Sequence, residues 1–111
     1  MSSLAQALAQ TDDSREICCP HCKSEYTHQR ETIVRRRRGE DGPGVRVAVD
    51  GAGNAASAEL GADAAEWAGR RNDVAILLDC EDCEGRSVLL VQQHKGQTLV
   101  VVRPMGAGES A

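Results

Sequence analysis

Short apolar runs separated by polar and glycine-rich stretches dominate the chain. The run at Val45–Val49 alternates apolar and polar residues, which predicts a half-buried β-strand. Ile33 and Val34 lie inside a second, charge-flanked strand over Thr32–Arg37. Three further runs read as strands: Val74–Leu78, Ser87–Gln93 and Gln97–Arg103. The pattern predicts a small β-rich protein built from antiparallel strands.

The last two runs predict a β-hairpin over Ser87–Arg103. Lys95-Gly96 lies between them and suits a tight two-residue turn, because glycine adopts positive φ without strain. We expect this hairpin to pack beside the strand Val74–Leu78, with Leu90 and Val100 among the core residues. Both runs are apolar on both faces, so their register stays open.

The chain is short enough for one domain, which we place at residues 17–103. Residues 1–16 are polar and predict a disordered tail, and residues 104–111 predict a frayed one. Residues 50–73 are rich in Ala and Gly and form an insertion. Helical spacing within it predicts either one short helix or a mobile loop, the helical face being Leu60, Ala64 and Trp67.

Two Cys-x-x-Cys pairs are the strongest chemical signal, Cys19-Pro-His-Cys22 and Cys80-Glu-Asp-Cys83. Four thiolates arriving in two short segments suit one tetrahedral zinc ion, with each sulfur about 2.3 Å from the metal. Pro20 restrains φ in the first pair, and Gly85 offers a positive φ after the second. The 57 residues between the pairs exceed the compact spacing of about 15–20, so an insertion between them is required.

Other readings of the cysteines are weaker. A redox dithiol needs one pair opening a helix in a βαβ setting, which neither pair has. Five cysteines are an odd number for a disulfide framework, and the first residues lack a secretory signal, so we expect a cytoplasmic protein. Cys18 could replace Cys19 in a shifted register. Among the histidines, His21 is expected to face solvent, whereas His28 and His94 are expected to be ordinary strand residues.

Composition favours a metal-stabilised fold. Phe is absent, and Tyr26 and Trp67 are the only aromatic residues, so the core must be small. A structural zinc ion supplies about 10–16 kcal/mol of apparent binding energy, which acts as folding energy. The net charge is −4 with neutral thiols, and no apolar stretch approaches the roughly 20 residues that cross a bilayer.

A run of arginines is the main basic feature. Arg35, Arg36, Arg37 and Arg38 are either phosphate contacts or a solvated strand end that discourages edge pairing. Alternation on a strand would divide them between two faces. The glycines of Gly51-Ala-Gly53 follow a strand as in dinucleotide folds, but the chain is too short for a doubly wound sheet.

The two cysteine pairs and the hairpin after the second pair resemble the zinc-ribbon superfamily. The similarity covers about Ile17–Val34 and Val74–Arg103, and it departs at Lys23, where many ribbons have glycine. More loosely, Arg70-Arg71-Asn72-Asp73 and Gln93–Gln97 are similar to small actinobacterial and actinophage zinc-ribbon proteins of unassigned function. Zinc ribbons are binding modules in transcription, replication and protein assembly.

These observations predict a non-catalytic module with one structural zinc ion bound by Cys19, Cys22, Cys80 and Cys83. A closed four-thiolate site offers no open coordination position. The resemblance implies an adaptor for a protein partner, with nucleic acid as an alternative partner and a phage as one origin. A structural component of a phage particle, homo-oligomerising through the apolar hairpin, is the second hypothesis. A thiol redox or metal-handling protein is the third.

Overall fold

A computed structural model of the protein describes residues 16–39, 41–65 and 72–106. These residues form one antiparallel six-stranded β-sheet. Within these ranges no α-helix is present. The strand order across the sheet is β3-β2-β1-β4-β5-β6. The strands are β1 (Thr27–Arg37), β2 (Gly44–Val49), β3 (Ala55–Leu60), β4 (Asp73–Cys80), β5 (Arg86–His94) and β6 (Gln97–Met105). The prediction of a β-rich antiparallel fold is confirmed.

The predicted hairpin is also confirmed. Strands β5 and β6 pair from Arg86 opposite Met105 to His94 opposite Gln97. The two turn residues both have positive φ, 48° at Lys95 and 80° at Gly96. Two consecutive positive φ values match the right-handed twist of the flanking strands.

The glycine-rich stretch after β2 forms a second hairpin turn rather than a nucleotide-binding loop. The Asp50 carboxylate accepts hydrogen bonds from the backbone N–H of Ala52 at 2.9 Å and of Asn54 at 3.0 Å. The Asn54 bond is the main reason that the pKa of Asp50 lies below its usual value. The turn returns the chain antiparallel to β2, so no helix follows the glycines as a dinucleotide site requires.

The insertion at residues 50–73 differs from the prediction in its first half. Residues Ala55–Leu60 form the edge strand β3, and Leu60 ends that strand with 9% of its surface exposed. The predicted helical face is therefore wrong at Leu60, because pairing with β2 satisfies the backbone of this segment. Trp67 and most of the expected tails at residues 1–16 and 104–111 lie outside the described residues, whereas Pro104 and Met105 belong to β6.

The main hydrophobic cluster lies on one face of the sheet and is small. Its buried members come from four strands and are Ile33, Ala75, Leu77, Val88 and Met105, with Ala48 and Leu90 packed against them. The prediction of a core position is confirmed for Leu90 and wrong for Val100, which is 63% exposed. Val100 lies on the edge strand β6, opposite Val91 of β5. Because Val91 adjoins Leu90 and side chains alternate along a strand, Val91 and Val100 belong to the face opposite the core.

Strand pairing brings the two cysteine segments together. β1 and β4 run antiparallel, with Thr27 opposite Cys80, so the start of β1 and the end of β4 meet at one end of the sheet. Cys19 and Cys22 lie just before β1, whereas Cys80 ends β4 and Cys83 lies in the following turn. No helix of the described residues is long and apolar enough to cross a membrane.

Candidate metal centre

Four cysteine sulfurs converge at this end of the sheet. The Sγ atoms of Cys19, Cys22, Cys80 and Cys83 all lie within 4.8 Å of one another. Across the two segments, Cys19 Sγ is 3.6 Å from Cys83 Sγ, and Cys22 Sγ is 3.5 Å from Cys80 Sγ. Thiolates on a tetrahedron with metal–sulfur bonds of about 2.3 Å would be about 3.8 Å apart. The four residues therefore fit a single metal ion.

The two cysteine segments share the same backbone turn. The N–H of the first cysteine donates to the carbonyl five residues later in both, from Cys19 to Ser24 at 2.7 Å and from Cys80 to Gly85 at 2.9 Å. The residue after the second cysteine has a positive φ in both, 69° at Lys23 and 59° at Glu84. We call these segments, residues 19–24 and 80–85, the first and second knuckles.

This shared turn corrects the expected role of Gly85. The positive φ after the second pair belongs to Glu84, not to Gly85. Gly85 is required by space instead, because a Cβ there would lie 2.7 Å from Cδ2 of His21 and 3.0 Å from Sγ of Cys83. Its own N–H donates to Cys83 Sγ at 3.3 Å.

Backbone N–H groups surround the sulfurs and favour their ionised form. His21 donates to Cys19 Sγ at 3.4 Å, and Asp82 donates to Cys80 Sγ at 3.4 Å. Without a bound cation, the pKa of Cys80 is lowered to about 6, chiefly by the N–H of Cys83 and then by that of Asp82, against desolvation. Such N–H groups stabilise a thiolate, which is the form that binds metals.

The crowding of four sulfurs acts in the opposite direction on Cys83. The Gly85 N–H lowers the pKa of this thiol, but desolvation and the neighbouring Cys22, Cys19 and Cys80 together raise it to about 12. Adjacent thiolates repel one another, so the cluster cannot ionise fully by itself. A divalent cation removes that repulsion, and its binding therefore releases protons.

Side chains also join the two knuckles. The Nε2–H of His21 donates to the backbone carbonyl of Arg86 at 2.8 Å, and the ring lies against Gly85. His21 is exposed, as the sequence predicts, but its ring also makes this contact with the second knuckle. The Ser24 hydroxyl donates to the Asp82 carboxylate at 2.5 Å, which adds a second hydrogen bond between the two knuckles.

The remaining cysteine and histidines lie outside the cluster. Cys18 is exposed, and Cys19 is the first member of the four-cysteine cluster. His28 lies 3.4 Å from the Glu81 carboxylate, where both side chains are largely exposed. His94 ends β5 in the hairpin, at the opposite end of β5 from the second knuckle.

The arginine run is divided between the two faces of β1. Arg35 donates two hydrogen bonds to the Asp73 carboxylate, at 2.8 and 2.9 Å, and these side chains are only 14% and 8% exposed. Arg37 donates to the carbonyl of Ala62 at 2.7 Å. Arg38 approaches Glu59 at 4.0 Å on the exposed surface.

Arg36 and Arg38 are both exposed. Arg36 also borders a cavity of about 170 Å³. The structure therefore does not bring the four guanidinium groups into one continuous surface.

Several residues of the site escaped sequence reasoning. Lys23 and Glu84 hold equivalent positions in the two knuckles and share a positive φ. Neither residue type favours a positive φ, so the sequence did not predict this conformation. The contacts of His21 with Arg86 and of Ser24 with Asp82 each join residues more than fifty positions apart. The one available signal was Gly85, which follows the second pair closely enough to suggest a steric constraint.

No protein-family model matches this chain, and comparisons with curated proteins and with solved structures find no match.

Proposed function

We propose that this protein is a non-catalytic zinc-ribbon binding module whose fold is stabilised by one zinc ion at the two knuckles. The observation that carries the proposal is the convergence of four sulfurs within 4.8 Å across 57 intervening residues. Zinc is the metal that an all-thiolate tetrahedral site of this kind commonly holds in structural roles. The two matching knuckle turns support assignment to the zinc-ribbon class.

A structural role for the metal follows from its ligand set. Four thiolates complete a tetrahedral zinc site and leave no position for a substrate or an activated water. The ligands lie just before β1, at the end of β4 and in the turn after it, so the metal would join the two central strands at one end. The module would act through its surface, by binding a macromolecular partner.

A protein partner is favoured over nucleic acid. Arg35 is neutralised by Asp73, and alternation sends Arg36 and Arg38 to the face opposite Arg35 and Arg37. The net charge of −4 becomes more negative when zinc binds four thiolates, which opposes approach to a polyanion. A phosphate-binding role for the arginine run would therefore be weak and steeply salt-dependent.

The metal proposal is tested by counting zinc ions. The purified protein should contain one zinc per chain by plasma mass spectrometry, and Cys80→Ser should lose most of it. Cys18→Ser is the matched control and should retain a full complement, because Cys18 lies outside the cluster. An absence of zinc from protein that was never exposed to chelator, or equal loss from both variants, would contradict the proposal.

The partner class is tested by titrating fluorescent duplex and single-stranded DNA with the zinc-loaded protein at physiological ionic strength. We expect no saturable binding. Tight, salt-resistant binding would move nucleic-acid recognition ahead of protein partnering. Loss of that binding in Arg36→Ala but not in Arg35→Ala would then locate it on one face.

A further inference from the structure

Among the described residues, the sheet face opposite the core carries an apolar surface that is only partly buried. It lies away from the second knuckle, next to which Leu78 and Ser87 of the same face are buried. Register places five valines in one row across five adjacent strands, namely Val47, Val34, Val74, Val91 and Val100. The next row on this face holds Val49, Thr32, Ile76, Leu89 and Val102. We call these two rows the valine face.

Burial distinguishes this face from the core. At the centre of the core face, Ile33 is 2% exposed and Ala75 is fully buried. In the valine face none of the ten side chains is buried, and exposure reaches 39% at Val49 and 63% at Val100. A contiguous apolar surface of this kind on a small protein usually marks an interaction site.

We propose that the valine face binds the same face of a second copy of this chain, so that two sheets stack into a β-sandwich dimer. Neither row contains a charged residue, so a twofold contact of the face with itself buries no unpaired charge. β-Branched side chains on two such faces interdigitate when sheets stack about 10 Å apart.

The size of the sheet face that surrounds these two rows matches this occupant. The whole face, six strands spaced about 4.8 Å apart and six to eleven residues long, has a footprint of about 600–1,000 Å², of which the valine face is the apolar centre. Each partner contributes roughly 800 Å² to a stable protein–protein interface, which usually has an apolar centre and a polar rim. A peptide or a single helix would cover only part of it.

This surface is independent of the metal centre, which lies at the end of the sheet where β1 begins. The dimer thus goes beyond the proposed metal-binding function. It also replaces the hairpin alone as the oligomerisation surface, because three of the five strands in the valine row lie outside the hairpin.

The test uses sedimentation equilibrium on the full zinc-loaded chain across a range of micromolar concentrations. The wild type should approach twice the chain mass of 11.8 kDa. Val100→Lys should weaken the dimer at least about 100-fold, because each dimer would bury two unpaired ammonium groups. The high exposure of Val100 in the monomer makes this variant compatible with folding, which far-UV circular dichroism would verify.

The matched control is Leu99→Lys. Leu99 adjoins Val100 on the same strand, is 40% exposed, and points to the other face. It should leave the dimer intact. A second variant, Val49→Lys, probes the same face from β2, which is not an edge strand, and should also yield monomers.

Three results would overturn the proposal. The first is a wild type that stays monomeric at the highest concentration. The second is equal dissociation by Leu99→Lys and Val100→Lys. The third is dissociation by Val100→Lys alone with Val49→Lys still dimeric, which would indicate pairing through the edge of β6 instead of stacking through the valine face.

Discussion

The contact between Gly85 and His21 offers the sharpest test of how the knuckles fit together. A Cβ at position 85 would meet His21 Cδ2 at 2.7 Å and Cys83 Sγ at 3.0 Å. Gly85→Ala must therefore displace the imidazole ring, which breaks the 2.8 Å bond from His21 Nε2 to the carbonyl of Arg86. The backbone of Gly85 is not in the left-handed region, so the effect is steric rather than conformational.

The magnitude follows from two contributions. Loss of the hydrogen bond costs about 1 kcal/mol, and overpacking costs about 1–3 kcal/mol. We expect Gly85→Ala to lower the free energy of unfolding by about 2–4 kcal/mol, and His21→Ala to lower it by about 1 kcal/mol. The double variant should lose about 2 kcal/mol, less than the sum, because removal of the ring makes room for the new methyl group.

The assay is urea unfolding of the zinc-loaded proteins at a fixed free zinc concentration, combined with competition against a chelator. Gly61→Ala is the matched control, since a Cβ at position 61 would meet nothing within 4 Å, and it should be close to neutral. If the Gly85→Ala and His21→Ala effects add within about 0.5 kcal/mol, the two residues do not interact and the reasoning is refuted.

Four further outcomes are expected. Lys23→Gly should raise the free energy of unfolding in urea by about 0.5 kcal/mol, because glycine adopts the φ of 69° without the steric penalty that a Cβ incurs. A destabilised variant would contradict this. Gly96→Val should cost about 1–2 kcal/mol in the same assay, since a β-branched residue resists the φ of 80°, and a neutral effect would refute the assigned turn. Asp73→Ala should lower the free energy of unfolding by about 3 kcal/mol, because it leaves Arg35 without its bidentate acceptor. Arg30→Ala removes the exposed Arg30–Asp79 pair and should cost under about 1 kcal/mol. Equal costs would be inconsistent with the burial of the Arg35–Asp73 pair. Acidification should release the metal, because protons compete with it for the four thiolates and the zinc-bound state holds fewer protons. The check is competition against a chelator at a series of pH values. A zinc affinity that stays constant below neutral pH would exclude thiolate ligation.

Metal removal is expected to loosen the knuckles more than the sheet. The two central strands do not depend on the metal alone, because β1 and β4 pair directly from Thr27 opposite Cys80 to Arg35 opposite Asp73. Hydrogen exchange after chelation should therefore show the first loss of protection at residues 19–24 and 81–85.

The amino-acid sequence by itself determined the features that depend on neighbouring residues. Two cysteines three positions apart define a metal-binding pair wherever the chain places them, so the candidate ligands were readable. Alternation at Val45–Val49 and the Lys95-Gly96 turn likewise depend on local backbone geometry, and the corresponding strands and hairpin are present.

Only the tertiary structure decided which strands are neighbours and which face each residue occupies. Pairing of β1 with β4 joins residues from 38 positions apart, at Arg35 and Asp73, to 53 positions apart, at Thr27 and Cys80, and no local pattern encodes that choice. Pairing of β5 with β6 places Val100 on the open face, and pairing of β1 with β4 sets Asp73 opposite Arg35. The meeting of the two knuckles brings His21 against Gly85. The physical reason is that alternation of apolar and polar residues identifies a strand but not the strand that pairs with it. Burial, charge pairing and the geometry of the cysteine cluster all depend on which strands pair.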